Sequence, residues 1–245
     1  MSRRVLPLAA AGTAAAMIAV PLAARGGRAR AVLADAVVAG LAATTTAAAT
    51  HRWGRSRSTV GAAIVGAGTL LVERIGTATG WPFGRYRYTG RLRPEIGDVP
   101  VAVPTAWWAM AVPAREVAHA VLGARSGRWT RVALGAAALT AWDVFLDPQM
   151  TSEGYWRWQR RGRYRGIPAT NYLGWLVTGA AVMLVLDVVL PPRVVDVALV
   201  GEYVGMAVLE TLGFACFFGD RLVAALGAAA MLPLGLGALL KSSHG

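Results

Sequence analysis

Cysteine occurs once in this 245-residue chain, as Cys216 inside an apolar run. No disulfide can close within the chain, no cysteine-based metal site can be built, and the redox compartment cannot be read. Charged residues make up only 16% of the sequence, where a soluble domain carries about 25%. That shortage argues against a soluble fold. Lysine also occurs once, as Lys241, so the net charge of +12 is carried almost wholly by arginine. A G- and C-rich coding sequence accounts for the arginine bias as well as any selection does. The arginines form no single basic stripe, which excludes a nucleic-acid-binding face. They do put positive charge in loops, where lipid head groups are met.

What is present is apolar and arranged in blocks. Hydrophobic residues are 56% of the chain. Eight runs approach the roughly 20 residues a spanning helix needs: about Val5–Ala24, Ala31–Thr50, Thr59–Gly80, Val101–Leu122, Val132–Asp147, Ala169–Leu190, Val194–Phe218 and Leu222–Leu240. The second is weak, being mostly Ala and Thr. The fifth is the shortest, because Pro148 limits how far regular helix continues. The expected fold is therefore all-α: one polytopic integral membrane domain over residues 1–245, with seven or eight spanning helices. Glycines within the runs, such as Gly61, Gly66 and Gly68, let helices approach closely in lipid. The start, Met-Ser-Arg-Arg before an apolar run ending in Ala23-Ala24, has the look of a signal peptide; in a polytopic chain the first block is expected to be retained as a helix.

Two segments are long and polar enough to be loops: 81–100, WPFGRYRYTGRLRPEIGDVP, and 151–168. An even number of spans separates them, so they fall on one membrane face and can close over the same end of the bundle. With the N-terminus inside and eight spans, ten basic residues, among them Arg3 and Arg4, fall on the inner side and thirteen on the outer. The positive-inside rule then leans toward an external N-terminus and cytoplasmic long loops.

Ionisable groups inside spans cost roughly 2.5 to 3.5 kcal/mol each at mid-helix, so they are candidates for function. They are Glu73, Glu116, His119, Asp143, Asp147, Glu202 and Glu210. Asp143 and Asp147 are four apart and share one helix face. They precede Pro148 and an aromatic, arginine-rich loop. Their D-x-x-x-D spacing matches half of the paired aspartate motifs by which membrane prenyltransferases hold a diphosphate through magnesium; the second motif is missing. Glu116 and His119 form an E-x-x-H step of the kind found in di-iron bundles. That architecture needs a second copy, which the sequence lacks, so no metal is expected and a buried Glu–His hydrogen bond is the simpler reading. Aromatics cluster near the inferred span ends, where they can form an interfacial belt or line a groove whose π faces stabilise positive charge.

ERIGTATGWPFGRYRYTGRL, VAVPTAWWAM, AWDVFLDP, GYWRW and YRGIPATNYLGW together resemble the carotenoid biosynthesis membrane protein family that includes the hydratases of the bacterioruberin and γ-carotene pathways. The resemblance covers residues 73–175. It implies a carotenoid substrate, a lipid bilayer as surroundings, other carotenoid-pathway enzymes as further partners, and a location in the cell membrane of a prokaryote. It also implies a cofactor-independent hydratase: an acid protonates a terminal C=C of an acyclic carotenoid, a tertiary cation forms, and water adds to give a tertiary alcohol. Burial favours the protonated form of a carboxyl, and a second carboxylate can orient or deprotonate water. On the motif positions, Glu73, Asp143 and Asp147 are expected to be catalytic. Tyr86, Tyr88, Trp107, Trp142, Tyr155, Trp156, Asn171 and Trp175 are expected to bind substrate, with Asn171 positioning water. Two other readings stay open: a magnesium-dependent, prenyltransferase-like carotenoid-modifying enzyme, and a non-enzymatic lipid or carotenoid carrier or proton-coupled transporter.

Overall fold

A computed structural model describes residues 5–123 and 125–242; Arg3 and Arg4 lie outside the described residues. Among the described residues eight α-helices follow the eight apolar runs: α1 (Val5–Ala19), α2 (Arg28–Trp53), α3 (Arg55–Thr79), α4 (Ala102–Leu122), α5 (Arg128–Ser152), α6 (Ala169–Val189), α7 (Val197–Cys216) and α8 (Arg221–Ser242). Four strands of two or three residues sit in the two long loops: β1 (Tyr86–Tyr88), β2 (Glu95–Ile96), β3 (Val99–Pro100) and β4 (Trp156–Trp158). The fold is an all-α bundle, as its composition implies.

Helices α2, α3, α6, α7 and α8 are each long and apolar enough to cross a membrane, which marks the chain as an integral membrane protein. The apolar stretch at the start, Leu6–Leu22, is shorter. Helix α4 is the axis of the bundle. It is buried without a break from Ala106 to Ala120 and packs on α2, α3, α5, α6, α7 and α8. A helix surrounded on all sides does not need a lipid-facing stripe, so α4 can carry Arg115, Glu116 and His119 in its interior.

A proline inside a helix leaves a carbonyl without its partner four residues on, and at Pro148 and Pro113 a side chain from elsewhere supplies the missing donor. The fifth block does not end at Pro148 as its sequence suggests; α5 runs on to Ser152. The Val144 carbonyl freed by Pro148 accepts instead from Tyr164 Oη, in the second long loop, at 3.0 Å. The Ala109 carbonyl freed by Pro113 accepts from Thr45 Oγ1 of α2 at 2.7 Å. That bond needs α2 close against α4, and the small Ala and Thr side chains allow it. The weak second block is thereby a full 26-residue helix, with Trp108 Nε1 donating to Thr46 Oγ1 at 3.0 Å.

The two long loops meet. Strands β1 and β4 pair antiparallel, Tyr86 opposite Trp158, Arg87 opposite Arg157 and Tyr88 opposite Trp156. Side chains alternate across a strand, so YRY and WRW each turn two aromatics inward and one arginine outward. Phe83, in the first loop, is buried where α3 and α6 converge. A Cβ on Gly174 would lie 2.6 Å from its Cδ1 and 3.0 Å from the Pro82 backbone. Backbone cannot yield as a flexible side chain can. Gly174→Ala should therefore destabilise the fold by about 1–3 kcal/mol, as overpacking does, read as a lower melting temperature of the detergent-purified protein. Unchanged melting would show that the first loop does not depend on this contact.

Candidate active site

The bundle end capped by β1 and β4 gathers three of the buried acids. Glu73 lies on α3, buried, and three donors converge on it. Tyr86 Oη and Tyr88 Oη both donate to its Oε2, the latter at 2.7 Å, and Trp107 Nε1 of α4 donates to Oε1 at 3.2 Å. The tyrosines are two apart on β1, which aims both at one face. Burial, reinforced by the nearby Glu73 charge, pushes both phenols well above the usual tyrosine range. They stay protonated, as donors to a carboxylate must.

Asp143 and Asp147 occupy one face of α5 and meet at a single amide. Asn171, in the first turn of α6, donates from Nδ2 to Asp143 Oδ2 at 2.6 Å and to Asp147 Oδ2. Trp156 Nε1 of β4 donates to Asp147 Oδ1 at 2.8 Å. Asp143 is fully buried, and its Oδ1 has no hydrogen-bond partner. Trp107 stacks on Trp175, centroids 4.1 Å apart and planes 16° from parallel.

All of these groups but Asp143 border one cavity with about 690 Å³ of unfilled space. Glu73 and Asp147 open onto it from α3 and α5, with Asn171 beside them, and aromatic rings supply much of the rest of its wall. Two neighbouring spaces share its walls. On one side a polar cleft of about 960 Å³, lined by Arg74, Thr77, Arg87, Glu95 and Asp98, has Tyr86 and Tyr88 in common with it. On another, an apolar cavity of about 1130 Å³ shares Ala34, Val38, Leu146 and Met150. Two buried carboxylates on one helix turn repel each other, so such a pair readily holds one proton between them. An acid pair, an ionisable group with three donors, and π faces in an apolar space can together transfer a proton and stabilise a cation.

Residues 29–242 match the family described as carotenoid biosynthesis protein. The chain belongs to this family. It is also 33% identical over 118 residues to a bisanhydrobacterioruberin hydratase of Haloarcula japonica, an alignment covering 47% of this chain and 40% of that relative. The chain thus matches well under half of the relative's length. No solved structure matches.

Within this carotenoid biosynthesis protein the expected site residues divide. Glu73, Asp147, Tyr86, Tyr88, Trp107, Trp156, Asn171 and Trp175 all border the acid cavity. Asp143 lies behind Asp147, joined through Asn171. Trp142 and Tyr155 instead line the neighbouring apolar cavity. Trp142 precedes Asp143 around α5 by about 100° and touches the site only edge-on, through Trp175 at 6.1 Å. Both hydrogens of the Asn171 amide are occupied by the aspartates, so any water it holds must donate to its carbonyl oxygen.

Several cavity residues escaped the sequence reading. Asp35 of α2 borders the cavity; a lone acid in an Ala-rich run was the signal for it. Phe83 and Trp158 carried no such signal, since their position depends on how the loops pair. Arg115 and Asp187 were also missed, and they explain Glu116. Arg115 reaches Glu116 Oε1 and Asp187 Oδ1, each at 3.1 Å, and the Leu190 carbonyl at 2.7 Å. Glu116 Oε2 accepts from the Asp196 amide at 3.0 Å, and His119 Nε2 lies 3.7 Å from Asp187. The E-x-x-H step thus belongs to an ion network about 12 Å along α4 from Trp107. Among the described residues no group of three or more His, Cys, Asp or Glu is arranged to hold a metal ion. Glu202 Oε2 lies 2.9 Å from Thr45 Oγ1, and Glu210 borders the apolar cavity.

Proposed function

We propose that this carotenoid biosynthesis protein is a hydratase that adds water across a terminal C=C of an acyclic carotenoid, within the cell membrane of a prokaryote. The observation that carries this reading is the placing of Glu73 and Asp147, from separate helices, on one aromatic-lined cavity with an apolar space on one side and a polar cleft on another. The reaction joins a lipid-soluble alkene to water, so its site has to be reachable by both. The family membership and the likeness to a hydratase support the same chemistry.

The aspartate pair is the proton source. Asp147 faces the cavity and hands its proton to the less substituted alkene carbon, forming a C–H bond and leaving a tertiary cation on the neighbouring carbon. Asp143 and Asn171 hold Asp147 in place and keep a proton on the pair. The faces of Trp107, Trp175, Trp156 and Tyr86 stabilise the cation, an effect of about 0.5–2 kcal/mol per well-placed ring. Water arriving past Tyr86 and Tyr88 adds through its oxygen. Glu73 takes the water's proton, which returns to the aspartate pair. The sum is alkene plus water to tertiary alcohol, with no group consumed.

The test is expression of the full chain in a host that makes acyclic carotenoids, with pigments analysed by mass. The expected result is a product heavier by one water, formed in the presence of a chelator as in its absence. A product extended by a five-carbon unit and dependent on magnesium would overturn the proposal in favour of prenyl transfer. Pigment bound without chemical change would overturn it in favour of a carrier.

A further inference from the structure

The apolar cavity beside the acid site has features that hydration of a double bond does not use. It lies between α1, α2, α5 and α7 and has about 1130 Å³ of unfilled space. Its walls are mostly side chains such as Met17, Val37, Leu41, Trp142, Met206 and Leu209. Along α7 it extends from Met206 to Gly213, about 10 Å at 1.5 Å per residue, and continues over Phe217 and Phe218. It is therefore long as well as greasy.

Into this space opens one acid. Glu210 is 5% exposed, and among the described residues nothing forms a hydrogen bond or ion pair with it. The cavity's other acid, Glu153, is already held by Arg30 Nη2 at 2.6 Å. Trp142 Nε1 and Arg30 Nε, on residues of the same walls, also lack partners but are covered by their surroundings and do not face the space. Buried polar groups are ordinarily hydrogen-bonded, and leaving one unmet is costly. A cavity with apolar walls and one unpaired acceptor suits a long apolar molecule carrying a hydroxyl, which can donate to it. Because it shares Ala34, Val38, Leu146 and Met150 with the acid cavity, one extended molecule can lie across both.

We infer that this second cavity binds the part of the isoprenoid substrate remote from the reacting double bond, with Glu210 accepting a hydrogen bond from a hydroxyl on that chain. The inference rests on the hydratase reading for the identity of the substrate. It makes Glu210 a specificity residue, outside the chemistry, and it favours acyclic substrates already hydroxylated elsewhere on the chain.

Two measurements test it. In the first, the detergent-purified full chain is titrated with geranylgeraniol and with a C20 isoprenoid hydrocarbon. The alcohol should bind about tenfold tighter, the value of one hydrogen bond to a buried acid. Glu210→Leu should bring that ratio close to one, and Glu210→Gln, which keeps an acceptor, should retain part of it. In the second, kcat/KM is compared for acyclic carotenoids with and without a distal hydroxyl. The wild type should prefer the hydroxylated one by a similar factor, and Glu210→Leu should lose that preference while still hydrating the plain substrate. No preference in the wild type, or one that Glu210→Leu leaves intact, overturns the inference while the hydratase reading stands. A Glu210-dependent preference for the alcohol without any hydrated product overturns the hydratase reading and leaves the binding site in place.

Discussion

Asp147→Asn should lower the rate of water addition by about 10²–10⁴-fold, the usual contribution of a positioned general acid. The substitution nearly preserves shape. The amide oxygen of the new side chain can still accept from Trp156 Nε1, which donates to Asp147 Oδ1 at 2.8 Å, so the β4 strand keeps its anchor. What is lost is the transferable proton. Asp143→Asn should act in the same direction with a smaller effect, because Asp143 does not face the cavity and works through the pair. Glu73→Gln leaves the proton source intact and should slow the capture of water instead. The measurement is product formed per folded molecule, with folding checked by gel filtration in detergent. Near wild-type turnover in Asp147→Asn would remove the aspartate pair from the mechanism.

Arg115→Met should be among the most destabilising single changes in the chain and leave the chemistry of the folded fraction intact. Arg115 is 2% exposed and serves Glu116, Asp187 and the Leu190 carbonyl together. Removing it strands the buried carboxylate of Glu116 and leaves half-buried Asp187 with only the longer contacts to Arg128 and His119, and breaking a buried ion pair in this way costs about 3–5 kcal/mol. Methionine fills much of the same volume, so the loss reflects charge more than packing. The melting temperature in detergent should fall sharply. Adding Glu116→Gln and Asp187→Asn should restore part of it, since no uncompensated charge then remains. A melting temperature close to wild type in the single variant would mean that water reaches this network freely.

The helices and their order are legible because each apolar run is bounded, within two residues, by Gly, Pro or a basic residue, and a span has a definite length. The acids were legible as well, since a carboxylate in an apolar run stands out at once. Pro148 misled the boundary of α5 because a proline breaks a helix only if the carbonyl it frees finds no other donor. That donor, Tyr164, comes from the loop beyond the helix. The motifs that contain them place Trp142 and Tyr155 in the site, yet Trp142 is turned about 100° from Asp143 on α5, and Tyr155 lies beyond the end of α5, just before β4, so both face the neighbouring space.

The chain's own pattern thus determined an all-α membrane bundle, its eight helices, and the short list of buried acids and aromatics from which any site had to be drawn. The tertiary structure alone decided which of these share a cavity. The pairing of Tyr86–Tyr88 with Trp156–Trp158 joins segments some 70 residues apart, and the meeting of Asp147 with Asn171 depends on how α5 and α6 pack. Periodicity records which face a side chain takes on its own helix. Which helix lies opposite that face is a property of the assembled bundle.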